Sequence, residues 1–317
     1  MLTPNQGRLK SATKYCLSVI FSSAAFLILC SSTAYASDHP IVLETDFGLQ
    51  DGAVSSMKGV IYQVDPNLGI FDLTHEIDPQ NIWEGAYRLV QTARYWPAGT
   101  VFVIVVDPGV GTERKSLVAK TKTGQYFVTP DNGTLTLIAE TAGIDQVRVI
   151  DEKINRLPGS ERSYTFHGRD VYAYTGARLA AGKINFSGVG PLLKGDIVKL
   201  PLHAATLQGK NIVGSIPVLD IRYGNVWTNI PGKLLDAHRF TLGKKYRVKI
   251  SHNNKLIFDN ELPYLNTFGG VRVGGELLYI NSLDNLSLAI NQGNFARRYH
   301  IVPDQNWHIE IELPEQH

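Results

Sequence analysis

The chain has 317 residues, 44% of them hydrophobic, with 31 Lys+Arg against 29 Asp+Glu and a formal charge of +2 with histidine neutral. Charge this close to balance gives no electrostatic case for nucleic acid or an anionic membrane as partner. The length and apolar content are ample for one large core or two smaller ones.

The first 36 residues read as an export signal. Arg8, Lys10 and Lys14 precede an apolar stretch from Cys16 to Cys30, and Ala34-Tyr35-Ala36 offers small residues for cleavage before Ser37. The apolar stretch is short for a membrane span; an uncleaved anchor is the alternative. Removing three basic and no acidic residues leaves 28 against 29, a charge of −1. Both cysteines lie in this segment, so the mature chain is expected to carry no thiol and no disulfide. It is expected in the periplasm, with no membrane contact after cleavage.

Ile41-Val42-Leu43-Glu44-Thr45 predicts a strand ending in Asp46-Phe47-Gly48, with Asp51-Gly52 next. Ala53 to Val64 predicts a helix, because Met57, Val60, Ile61 and Val64 recur at helical spacing; Asp51 is its expected N-cap. Gly69 to Leu73 predicts a strand running into Thr74-His75, and a helix from about Asn81 to Tyr95 stops before Pro97. Val101 to Val106 is an unbroken β-branched and apolar run, suited to a strand buried on both faces. It delivers Asp107, then Pro108-Gly109-Val110-Gly111, then Thr112-Glu113-Arg114. A carboxylate and a guanidinium across such a turn can fold back towards each other. Taken alone, the segment equally suits a polar turn in which Asp107 satisfies backbone amides.

Ser116 to Thr121 and Gln125 to Thr129 predict a hairpin over Lys122-Thr123-Gly124. Pro130-Asp131-Asn132-Gly133 leads into a helix from Leu135, and Val147 to Ile150 is one more strand. Alternating strands and helices predict an α/β domain over residues 38–195, a doubly wound, layered sheet with helices on its faces. Asp46, His75, Asp107 and Asp131-Asn132 each follow a strand, on the rim where such sheets bind ligands. Thr165-Phe166-His167-Gly168-Arg169-Asp170 then opens a helix to about Ala181. His167 suits a cap or a core histidine, and Arg169-Asp170 a structural ion pair. With no HExxH, cysteine ligand set or EF-hand loop, no metal is expected. Gly109-Val110-Gly111 lacks both the third glycine of a dinucleotide fingerprint and the Gly-Lys-Ser/Thr of a P-loop.

Beyond residues 188–202 helical periodicity fades. Short runs appear at Ile212 to Leu219, Val226 to Ile230, Tyr246 to Ile250, Lys255 to Phe258, Leu277 to Asn281, Leu286 to Ile290 and Trp307 to Leu313, separated by turn signals. They predict an all-β domain over residues 205–317, a small barrel or sandwich. Within it, Asp220 to Asn229 places Trp227 beside amide and carboxylate hydrogen-bonders. Trp227 suits a core or edge residue, or an aromatic shelf for a flat heterocycle.

Five of these segments carry a resemblance: Thr45-Asp46-Phe47-Gly48, Asp107 to Arg114, Pro130-Asp131-Asn132-Gly133, Thr165 to Asp170, and Gly224-Asn225-Val226-Trp227-Thr228-Asn229. Together, in order and with matching spacing, they resemble the S-adenosylmethionine (SAM) hydroxide adenosyltransferases, the SAM hydrolases related to fluorinase and chlorinase. The resemblance implies an α/β then β architecture and conversion of SAM and water to adenosine and L-methionine. SAM is then the substrate, and no cofactor is implied. It also implies a homotrimer whose sites join one subunit's N-terminal domain to the next one's C-terminal domain. The family's Asp-Arg-His triad falls on Asp107, Arg114 and His167, and its ribose-binding aspartate on Asp46. Asp51 lies where the methionine end is handled, Asp220 matches the residue holding the methionine amine, and Asn225 and Trp227 match positions at the ligand. Phe268, Ser282 and Asn291 are looser matches.

The departures from the halogenases bear on the nucleophile. They carry Tyr at the Asp107 position; fluorinase has Ser at the Gly168 position and an extra loop before the segment matching Pro130. All three favour water over halide. Attack at the ribose 5′-carbon of a sulfonium needs little acid help, since the thioether leaves neutral, so the difficulty is the nucleophile. Orientation of a water by Arg114 and His167, with Asp107 fixing Arg114, would combine positioning with general-base assistance worth roughly 10²–10⁴-fold. The competing expectations are a chlorinase-like halogenase and a non-catalytic adenosine- or SAM-binding protein, which would need Trp227 and Asp46 but no triad.

Overall fold

The computed structural model describes residues 39–302 and 306–313. The expected export signal therefore lies outside the described residues. The N-terminal domain is built on a sheet whose strands run, in chain order, β1 (Ile41–Thr45), β2 (Ile70–Thr74), β3 (Val101–Val105), β4 (Ser116–Thr121), β5 (Tyr126–Pro130) and β6 (Ile144–Val149). Their spatial order is β2-β1-β3-β5-β4-β6. The first four positions are parallel, whereas β4 is antiparallel to both β5 and β6. The sheet is therefore mixed rather than purely doubly wound. The tight Lys122–Gly124 turn is too short for a parallel crossover, so the hairpin it closes must run antiparallel.

β3 lies at the centre and is at most 2% exposed along its length. Its alternate residues serve opposite layers, as the period of a strand dictates. Val101, Val103 and Val105 face α1 (Ala53–Val64) and the helix that carries Val171 and Ala177. Phe102 and Ile104 face α2 (Ile82–Ala93) and α3 (Thr136–Thr141). The helix over Val103 opens with a π-helical turn, Gly168–Ala173, and continues as α4 (Tyr174–Ala180). It lies so close that a Cβ at Gly176 would come within 2.7 Å of Val103 Cγ2. The helix over residues 53–64 stands as predicted, with its cap shifted by one residue. Gly52 is the N-cap, and Asp51 reaches past it to accept the Ala53 N–H at 2.8 Å.

The C-terminal domain is two antiparallel sheets around one core. Its elements are β7 (Thr206–Gln208), β8 (Asn211–Ser215), β9 (Val218–Asp220), β10 (Asn225–Pro231), α5 (Gly232–Ala237), β11 (Lys245–His252), β12 (Lys255–Pro263), β13 (Glu276–Ile280), β14 (Asn285–Ile290), α6 (Phe295–Tyr299) and β15 (Trp307–Glu312). The orders β13-β14-β10-β9 and β12-β11-β15-β8-β7 make it a sandwich. The run Ile212 to Leu219, expected as one strand, is two, because Pro217 has no N–H to give a ladder and the chain crosses between sheets there.

Helix α2 joins the domains. Ala86, Leu89 and Ala93 face the sheet, while Trp83, Tyr87, Val90 and Arg94 form a stripe towards the second domain. Trp83 Nε1 donates to the Pro217 carbonyl at 3.1 Å, Arg88 Nη2 to that of Leu219 at 2.9 Å, and Arg94 Nη2 to that of Ser282 at 2.5 Å. Tyr87 packs with Val218 and Trp227.

Candidate active site

Asp107 stands just past the end of β3, and Arg114 just before the start of β4. The turn between them depends on Gly111, whose φ of 76° suits glycine; a Cβ there would also sit 2.9 Å from the Tyr164 carbonyl oxygen. Arg114 Nε donates to Asp107 Oδ1 at 2.8 Å and its Nη2 donates to Oδ2, so the two planar groups meet in a bidentate pair. Arg114 Nη1 donates to Ser116 Oγ at 3.0 Å. Burial opposes the Arg114 charge, but the hydrogen bonds and negative charge of Asp107 outweigh it and hold the guanidinium above its ordinary range. Tyr172, fully buried, donates its hydroxyl to Asp107 Oδ2 at 3.4 Å and lies 3.3 Å from Ser116 Oγ. Burial first, and then the Asp107 charge, push its phenol upward, so it stays a neutral donor.

His167 precedes the π-helical turn and is 4% exposed. Its Nδ1 lies 3.1 Å from Arg114 Nη2, and its Nε2 lies 3.1 Å from Arg156 Nη2. Arg156 is itself buried, bonded to Glu152 Oε2 at 2.9 Å and placed over the Tyr164 ring at 4.4 Å. Burial lowers the His167 pKa, and the Arg114 and Arg156 charges lower it further against the opposing pull of Glu152 and Asp107. With a guanidinium nitrogen facing each ring nitrogen, the imidazolium form is disfavoured. The π-helical turn brings the rings of His167 and Tyr172 to 6.4 Å, although they are five residues apart; on an α-helix that spacing points side chains apart.

Sequence reasoning missed Ser116, Tyr172, Glu152 and Arg156. Tyr172 sits among apolar helix residues and carries no distinguishing mark. Glu152 and Arg156 lie in an irregular segment with no periodicity to read.

The other expected residues are placed as follows. Asp46 Oδ2 accepts the backbone N–H of Gln80 at 2.8 Å, and Asp51 is exposed at the start of α1. The remaining rim groups fasten loops: His75 Nδ1 lies 2.9 Å from Thr45 Oγ1, Asp131 accepts from Val198 N, and Asn132 donates to the Val106 carbonyl. Arg169 pairs with the fully buried Asp170. In the second domain Asn225 donates to Asp220 Oδ2 at 3.0 Å. Trp227 is 7% exposed and donates to the Tyr279 hydroxyl, against whose ring the exposed Phe268 packs edge-on. Ser282 is exposed, and Asn291 donates to the Val271 carbonyl. Among the described residues, no hydrogen bond, ion pair or ring contact joins Asp107, Arg114 or His167 to Asp220, Asn225, Trp227 or Phe268. A separate cavity of about 900 Å³ lies between α2, α3 and the second domain. It contains none of the triad, and its charged lining, Arg94, Glu140 and Lys233, offers no such constellation.

Comparison with known proteins follows the same two-part division. Residues 41–190 match the SAM hydroxide adenosyltransferase N-terminal domain, and residues 214–308 match its C-terminal domain. The chain belongs to the SAM hydroxide adenosyltransferase family. It is 41% identical to an (R)-S-adenosyl-L-methionine hydrolase of Methanocaldococcus jannaschii over 68% of this chain and 74% of the relative. A hydrolase of the same name from Thermus thermophilus is 32% identical over 80% and 93% of the two chains, and a fluorinase of an Actinoplanes species is 30% identical over 84% and 96%. A crystal structure of an uncharacterized conserved protein from Thermotoga maritima superposes with a TM-score of 0.78 at 33% identity, covering 86% of this chain and 99% of that one. In this hydroxide adenosyltransferase the bidentate pair leaves Arg114 Nη2 directed at His167 Nδ1.

Proposed function

We propose that this protein hydrolyses S-adenosyl-L-methionine to adenosine and L-methionine. The observation that carries the reading is the Asp107–Arg114 clamp closed against His167 at the carboxyl end of β3, in a chain whose relatives are named SAM hydrolases. Water loses a proton to solvent and its oxygen forms a bond to the ribose 5′-carbon. The carbon–sulfur bond breaks with its electron pair on sulfur, which turns a sulfonium into neutral methionine thioether. Arg114 and the neutral His167 stabilise hydroxide character on the nucleophile, and Asp107 holds Arg114 in place. Both Asp107 oxygens are spent on Arg114, so Asp107 is a clamp rather than a free base.

In this reading Asp46 holds the ribose diol, Asp51 and Asp220 serve the methionine end, and Asn225, Trp227, Phe268 and Ser282 surround the nucleoside. Two groups of residues on one chain, joined among the described residues by no hydrogen bond, ion pair or ring contact, support a homotrimer in which each site takes one group from each of two neighbours. The relatives' names specify the (R) sulfonium, which makes that epimer the first substrate to offer. Export to the periplasm, if the first 36 residues direct it, requires the substrate to be met outside the cytosol. The intact mass of native protein tests that processing.

The deciding experiment supplies each SAM epimer in heavy-oxygen water, with and without chloride. Label in the adenosine 5′-hydroxyl and none in methionine is the expected result. Chloroadenosine forming faster than adenosine would instead establish a halogenase, and binding without any product a non-catalytic SAM-binding protein.

A further inference from the structure

We propose that Arg156 is a positioning residue that fixes the tautomer of His167, so that the ring presents Nδ1–H as a donor to the oxygen nucleophile. A neutral imidazole has one donor nitrogen and one acceptor nitrogen, and a guanidinium can only donate. Both ring nitrogens of His167 nevertheless face guanidinium nitrogens, each at 3.1 Å. Only one of them can accept, and the surroundings of the two differ.

On the Nε2 side, Arg156 is held by Glu152 at 2.9 Å, by the Ser163 carbonyl at 3.3 Å and by the Tyr164 ring. Its side chain is 5% exposed, against 10% for that of Arg114. A proton on Nε2 would be a buried donor aimed at a fixed cation, with no acceptor to satisfy it. A proton on Nδ1 has an alternative in the proposed reaction: an oxygen bearing lone pairs, seated against Nδ1 and Arg114 Nη2, would accept from both. Nε2 therefore accepts from Arg156 and Nδ1 carries the hydrogen.

The charged and titratable groups facing this ring are Arg114 and Asp107 from the turn after β3, Glu152, Arg156 and Tyr164 from the irregular segment, and Tyr172 from its own helical turn. Protonation to imidazolium places a hydrogen against a guanidinium on both sides. Removing Arg156 relieves one of these contacts and leaves Glu152 in place.

The test is ring ¹⁵N spectroscopy of the full chain, with His167 assigned among the 9 histidines by its absence in His167→Gln. The wild type is expected to show a protonated Nδ1 and a bare Nε2. Arg156→Met should move the hydrogen to Nε2, raise the pH of the acid limb of turnover and lower kcat on the order of 10²-fold with KM nearly unchanged, as loss of one oxyanion donor does. Arg156→Lys, which retains a donor and a charge, should restore the spectrum and the acid limb. Glu152→Gln, which only loosens Arg156, should give a mixture of tautomers and serves in place of Arg156→Met should that variant not fold. A wild-type ring protonated at Nε2 overturns the proposal, as does an unaltered spectrum in Arg156→Met or, failing that variant, in Glu152→Gln. The kinetic arm rests on the hydrolase reading, whereas the ring spectrum needs no turnover; a correct tautomer without SAM cleavage would fault that reading alone.

Discussion

Asp107→Asn keeps the outline of the side chain while removing its charge and turning one acceptor into a donor. In the wild type the carboxylate takes Arg114 Nε at 2.8 Å, Arg114 Nη2, and the Tyr172 hydroxyl at 3.4 Å. With an amide nitrogen in the place of either oxygen, at least one guanidinium N–H meets another donor. The side chains are 5% and 10% exposed for Asp107 and Arg114, so the variant leaves a shielded guanidinium without its counter-charge. Breaking a buried pair costs about 3–5 kcal/mol. One Arg114-to-amide-oxygen bond survives, and Ser116 still accepts from Nη1, which places the expected loss near the low end, about 3 kcal/mol. For a chain of this size about 1 kcal/mol moves Tm by roughly 2–4 °C, so calorimetry should find a fall of about 6–12 °C. Because the clamp also aims Arg114, kcat should drop by about 10²–10³-fold while KM for SAM stays within about twofold. A Tm within about 2 °C of wild type would refute the burial argument. A raised KM with unchanged kcat would refute the role in positioning Arg114.

Asp46→Ala is expected to raise KM as well as lower kcat, the pattern of a residue that holds the ribose in ground and transition states alike; an unchanged KM in steady-state assays removes Asp46 from the ribose. Glu44 is 1% exposed with neither carboxyl oxygen hydrogen-bonded, and burial holds its pKa well above the usual range, with Arg88 pulling it down and Glu84 pushing it up. A carboxyl raised on folding contributes stability that is fully present below its unfolded pKa and lost as pH rises through the folded value. Glu44→Gln should therefore flatten the stability curve across that window and melt higher than wild type at neutral pH. Parallel melting curves from pH 4 to 8 would count against this. Dilution that separates subunits should abolish turnover in step with the loss of trimer mass, and an active monomer would place the whole site within one chain.

The layering of the N-terminal domain was legible because periodicity reports burial directly: the unbroken Val101 to Val106 run could only be central, and the 53–64 helix declared its face. The antiparallel pairing of β4 with β5 was legible in the short Lys122–Gly124 turn, whereas the antiparallel pairing of β4 with β6 was not, since the longer connection through α3 does not fix a strand's direction. Asp107 and Arg114 could be paired in advance because they stand seven positions apart across a glycine turn. The bracket around His167 could not. Arg156 reaches Nε2 from a segment without repeating pattern, and Tyr172 joins Asp107 only because the helix begins with a π turn. Ion-pair partners in irregular chain are set by three-dimensional closure, for which a linear pattern holds no signal. Trp227 is buried to 7% exposure beside Tyr87 and Val218, a neighbourhood that its own segment does not spell out.

Trp83, Arg88 and Arg94 all reach the second domain through main-chain carbonyls, those of Pro217, Leu219 and Ser282. A carbonyl is present whatever residue bears it, so these three bonds are indifferent to side-chain identity on the receiving side, whereas the packing of Tyr87 against Val218 and Trp227 is not. Substitutions at Leu219 or in the turn before β14 leave these three bonds in place, provided the backbone path is kept, while Val218 and Trp227 stay tied to Tyr87. A chimera joining residues 39–205 to the sandwich of a relative would keep the three α2 donors, while importing a different set of groups at the positions of Asp220, Asn225 and Phe268. Diversification of what is recognised can proceed on one module while the chemistry of the other stays fixed.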